Sequence, residues 1–184
     1  MIKKEFWFES INSNVKRMSI GSFNMNLDKN LFDKIIDNLF PKNTDMYFFG
    51  VKENLFWKPE KMILEIRKEI QSDFNQYGYY KIIHSNKGTP LFSVAKINSF
   101  DFKKIDLVYK FWDYFEVVFI LNVHTDISVV NMANKINFEF KQYEKLLNIG
   151  EIKASICKSE NDLLCVDSKN IEIFEPLKAI VNCW

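Results

Sequence analysis

The sequence predicts an α+β fold: one central sheet, largely antiparallel or mixed, with helices packed on it. Three observations predict it. Two or three pairs of strand-like segments sit next to each other in the chain around clear turn chemistry, which favours hairpins over strict strand–helix alternation. Between them lie segments whose apolar residues recur at helical spacing. One run, Val117 to Leu121, is apolar on both alternating faces and belongs in the middle of a sheet.

In chain order, Glu5 to Glu9 and Val15 to Ile20 read as two strands around an Asn12-Ser13-Asn14 turn. Asp28 is the expected N-cap of a first helix. Leu31, Phe32, Ile35, Ile36, Leu39 and Phe40 form its buried stripe, and Pro41 stops it. Met46 to Val51 is a short strand. A second helix begins near Pro59, with Met62, Ile63, Ile66, Ile70 and Phe74 on one face and Gly78 as its C-terminal cap. Residues 79–84 and 91–97 make a hairpin around Ser85 to Pro90.

A third helix from Asp101 turns Ile105, Val108, Tyr109 and Trp112 inward. The central strand, Glu116 to Val123, follows. A fourth helix is expected over about 128–147, ended by Gly150, although Asn137 to Phe140 also alternates as a strand would. Ile152 to Lys158 and Leu163 to Asp167 form the last hairpin, and a short helix near Glu175 to Val181 closes the chain. With no linker-like stretch, internal repeat or block of like charge, the 184 residues read as a single domain, 1–184.

Composition narrows the function classes. The 25 basic and 24 acidic residues leave a net charge of +1, without the electrostatic footprint of a nucleic-acid binder. Residues 1–92 carry a net +3 and residues 93–184 a net −2, too small an asymmetry to name a partner. Only Arg17 and Arg67 are arginine, which disfavours recognition of phosphate by paired guanidinium forks. Lys, Ile and Asn together make up 63 residues; all three use A/T-rich codons, which suggests an A/T-rich bacterial or mobile-element genome. Eighteen Phe residues imply an aromatic core or, beyond it, an aromatic recognition surface. The three cysteines, Cys157, Cys165 and Cys183, fit a reducing, cytoplasmic setting. The first residues enter an amphipathic strand rather than an apolar leader, and no run is long enough to span a bilayer, so no membrane association is expected.

Cofactor and metal chemistry finds no footing. The five glycines are too far apart for a phosphate-binding loop, and no GxSxG or HExxH pattern occurs. His84 and His124 lack further ligands at usable spacing, so no metal site is expected. His124 and Asp126 just beyond the central strand are the one nameable catalytic pair, a base and its orienting carboxylate, but Thr125-Asp126 also suits a helix N-cap. Cys157 and Cys165 face each other across the last hairpin if the register allows, as small buried residues.

The remaining feature is acidic. Asp113 and Glu116 flank the start of the central strand, and residues 151–175 carry Glu160, Asp162 and Asp167 among six acids against three lysines. Such a patch suits a basic protein partner. The general character of the chain looks like that of the cytosolic immunity proteins of toxin–immunity pairs: small, A/T-rich in codon usage and without catalytic motifs. No alignable motif carries that likeness, so no residue role follows from it. The expectation is a non-enzymatic inhibitor that binds a co-encoded toxin domain and occludes its active site, with no cofactor. Asp113, Glu116, Glu160, Asp162 and Asp167 are its candidate contacts. The alternatives are a small enzyme using His124 and Asp126, or a regulatory or structural subunit.

Overall fold

The structure is a computed structural model that describes residues 4–40, 45–53, 61, 65, 68–69, 72, 78–84, 91–98, 112, 115–123, 152–159 and 163–184. Eight strands join one sheet: β1 (Phe6–Ser10), β2 (Lys16–Ile20), β3 (Asp45–Glu53), β4 (Gly78–His84), β5 (Leu91–Asn98), β6 (Phe115–Val123), β7 (Ile152–Ser159) and β8 (Leu163–Ser168). Their spatial order is β1-β2-β8-β7-β6-β3-β5-β4. Every neighbouring pair is antiparallel, so the sheet is not mixed. Two helices are described at full length, α1 (Met25–Leu39) and α2 (Phe174–Asn182). This is the α+β architecture that the hairpins imply. No described helix is long and apolar enough to cross a membrane.

The hairpins form where turn chemistry places them. Asn12 Oδ1 accepts from the backbone N–H groups of Asn14 and Val15, both at 2.9 Å, folding the chain between β1 and β2. The pairing of His84 with Leu91 joins β4 to β5, and that of Ser159 with Leu163 joins β7 to β8. β6 lies between β7 and β3, an interior position that fits its continuous apolar run. Gly78 opens β4, opposite Ile97, instead of capping the preceding helix. That helix shows its polar side: positions 61, 65, 68, 69 and 72 are helical and exposed, at the spacing that complements the expected apolar stripe.

α1 begins one turn before the expected cap. Asn24, not Asp28, is the N-cap, and its side chain accepts from the N–H groups of Asn26 and Leu27. Asp28 lies inside the helix at a kink, with non-helical backbone angles. Its carboxylate accepts from the Asn24 N–H at 2.7 Å, a reciprocal bond that closes the first turn. Lys4 donates to Asp28 at 2.6 Å and also to the Ser22 carbonyl, which ties the start of β1 to the helix. The helix ends at Phe40, whose N–H reaches the Ile36 carbonyl at 2.8 Å, just before Pro41.

One face of the sheet carries the main core. Met18 and Ile20 of β2, Leu164 and Val166 of β8, and Ala154 and Ile156 of β7 meet Leu31, Phe32, Ile35, Ile36 and Leu39 of α1. Phe174, Leu177 and Val181 of α2 complete it. Trp112 is buried in the same cluster, as its helical spacing predicts, with its ring edge-on to Phe32 at 5.2 Å. Lys158 lies over the Trp112 ring and donates to the Trp112 carbonyl, so its ammonium is satisfied beside the apolar core.

Candidate functional site

The opposite face of the same strands is polar. Strand alternation places Glu5, Trp7 and Glu9 from the β1 segment, Arg17 and Ser19 of β2, Cys165 and Asp167 of β8, and Ser155 and Cys157 of β7 on it. The register sets Arg17 between Glu9 and Asp167, and Cys165 between Ser19 and Cys157.

Arg17 Nε donates to Asp167 Oδ1 at 2.7 Å, and its Nη2 donates to Oδ2 at 2.9 Å. This bidentate fork is the strong form of a guanidinium–carboxylate pair. The Asp167 side chain is 0% exposed and that of Arg17 is 11% exposed; Glu9, 48% exposed, approaches Arg17 at 3.9 Å. Asp167 is thus a buried partner of Arg17 and not part of a docking surface, a correction to the acidic patch read from the sequence.

The thiols are arranged for packing rather than reaction. Cys157 and Cys165 are directly opposed, buried and free. Burial pushes the Cys157 thiol well above its ordinary value, with the neighbouring Cys165 and Asp167 adding to the rise. Burial also raises Cys165, against the lowering effects of a Ser19 hydrogen bond and of Arg17. Both therefore stay protonated near neutrality, without the thiolate character of a nucleophile. Among the described residues no group of three or more His, Cys, Asp or Glu side chains could hold a metal.

Of the other sequence-derived candidates, Asp113, Glu160, Asp162, His124 and Asp126 lie outside the described residues. Glu116 falls in β6, and His84 ends β4. Glu172, just before α2, and Glu175, in its first turn, are exposed, so part of the acidity of residues 151–175 does face solvent.

A different surface stands out at the sheet edge. Among the described strands β1 ends the order and so has one unpaired side. Trp7 and Phe8 are each 43% exposed there, adjacent large hydrophobics on a strand edge. Phe8 points to the helix side, edge-on to Phe174 at 5.6 Å and under the Lys178 ammonium at 5.0 Å. Trp7 points to the other side and lies over Gly21, where an added Cβ would come within 3.3 Å of the ring. An open cavity of about 490 Å³ lined by Lys4, Glu5, Phe6, Trp7 and Asn182 adjoins it.

The sequence reading missed this edge and the Arg17–Asp167 pair. The signals were present: a strand rich in aromatics at the chain's start, and one of only two arginines placed between Val15 and Met18. No family model, curated protein or solved structure matches the chain.

Proposed function

We propose that this chain is a non-enzymatic protein-binding inhibitor, an immunity-type protein that neutralises a co-encoded toxin domain by occluding its active site. The observation that carries the proposal is the pair Trp7 and Phe8, adjacent and each 43% exposed on an edge strand. Scattered apolar side chains at a surface need no explanation, but two neighbouring aromatics at an unpaired strand edge form an anchor of the type that dominates protein interfaces. Each ring is held from one side, Trp7 over Gly21 and Phe8 against Phe174, so little side-chain freedom is lost on binding.

The test is a growth-protection assay with the toxin encoded beside this chain, paired with capture of the complex. The proposal expects His124→Ala to protect fully, since occlusion needs no proton transfer. It expects Trp7→Ala with Phe8→Ser to lose protection while remaining folded. Protection lost in a His124→Ala variant that still folds and binds overturns occlusion in favour of catalysis.

A further inference from the structure

Resting on the protein-binding reading above, we propose that the free edge of β1 is completed by an extended segment of the partner, carrying Lys or Arg at alternate positions that meet Glu5 and Glu9 on either side of Trp7.

The backbone of β1 fixes which groups are available. The Gly21 N–H donates to the Glu5 carbonyl at 2.9 Å, and the Ile11 N–H donates to the Val15 carbonyl at 3.0 Å. Both bonds belong to the single β1–β2 register. In an antiparallel ladder every second pair exchanges these bonds, so Glu5, Trp7, Glu9 and Ile11 point their backbone groups at β2. Phe6, Phe8 and Ser10 therefore aim their N–H and C=O groups away from the sheet. That row of donors and acceptors is a template for one more strand.

The side chains specify what that strand carries. Glu5, Trp7 and Glu9 share one face of the strand, at alternate residues about 6.8 Å apart. All three are exposed. Across β1, β2 and β8 that face holds Glu5, Glu9 and Asp167 against the single cation Arg17. Arg17 is held by both oxygens of Asp167 and lies 3.9 Å from Glu9, so one guanidinium faces three carboxylates and net negative charge remains at the edge. An added strand lies about 4.8 Å away with its own alternate side chains over the same face. Lys or Arg there pairs with the two carboxylates, and the one nearest Trp7 stacks on its open ring. The cavity beside Lys4 and Asn182 takes the side chain at the end of the added strand.

A second copy of β1 is a poorer occupant. On the matching face it presents Glu5, Trp7, Glu9 and Ile11, which set carboxylates against carboxylates, rings or an aliphatic chain.

The test uses two acetylated and amidated peptides, Lys-Val-Lys-Val-Lys and Glu-Val-Glu-Val-Glu, with amide hydrogen exchange on the full chain. The lysine peptide at millimolar concentration is expected to slow exchange at Phe6, Phe8 and Ser10 by about tenfold, leaving Trp7 and Glu9 unchanged. Added salt weakens the effect. Glu5→Lys with Glu9→Lys abolishes it and transfers it to the glutamate peptide. Ser10→Pro, which removes an outward N–H and leaves the β2 ladder intact, also abolishes it. Equal protection by both peptides, or none by either, overturns the proposal. Protection that grows with protein concentration and without peptide overturns it in favour of self-pairing. Because the peptides are independent of any toxin, a negative result here with growth protection intact rejects strand addition alone; the converse rejects the inhibitor reading alone.

Discussion

Cutting either side of the Arg17–Asp167 fork should destabilise the fold, and unequally. Asp167 is fully buried, and it accepts two charge-assisted bonds at 2.7 and 2.9 Å. Removing one member of a buried pair leaves the other desolvated and costs about 3–5 kcal/mol. Arg17→Ala belongs at the top of that range, because the 0% exposed Asp167 carboxylate loses both bonds of the fork. Asp167→Ala belongs near the bottom, because the guanidinium is 11% exposed and Glu9 lies 3.9 Å away. Arg17→Met with Asp167→Leu removes both charges and should recover most of the loss, since apolar replacements of buried pairs are commonly neutral or better. Urea titration reads the differences directly; for a chain of this size about 3–5 kcal/mol corresponds to a drop in Tm on the order of 10 °C. A cost below about 1 kcal/mol for Arg17→Ala, the ordinary value of an exposed pair, would refute this reasoning.

Other expectations concern the core, the cap and the thiols. Phe32→Ala, at the contact with Trp112 and with no exposed surface, should cost about 3–5 kcal/mol, read by the same titration. Asn24→Ala removes the cap of α1 and should cost about 1 kcal/mol, whereas no effect would mean the first turn does not depend on it. With a thiol-reactive dye the native protein should label quickly at exposed Cys183 and slowly at Cys157 and Cys165, and all should label quickly in denaturant. Both buried thiols ionise at higher pH in the folded chain than in the unfolded one. Their contribution to stability is therefore complete below the unfolded value near 9.0 and is lost as pH rises above it, which alkaline denaturation curves would show.

Local patterns were legible in the sequence wherever one residue type decides the geometry. The stripe from Leu31 to Phe40 has a single burial solution, and all six of its residues are buried in α1 or at its C-cap. Asn12 folds the first hairpin through its own side chain, and turn residues are read one at a time. The cap of α1 differs from the expected one because Asn24 and Asp28 are both good capping residues four apart, and the ammonium of Lys4, which holds Asp28 inside the helix, comes from outside any local window. Asp167 was misread for a similar reason: its partner stands 150 residues away, and nothing in residues 151–175 reveals that an arginine will sit across the strand. The aromatic edge escaped notice because Phe6, Trp7 and Phe8 look like core until the strand order leaves β1 at the end of the sheet.

The β1 edge is the surface proposed to bind the partner protein. The affinity of the proposed toxin partner for wild-type chain and for Trp7→Ala at matched Tm reports on it. An exposed aromatic anchor at the centre of an interface contributes about 2–4 kcal/mol, so the account predicts that Kd weakens by about 30-fold or more. Unchanged affinity in a folded Trp7→Ala variant would contradict it.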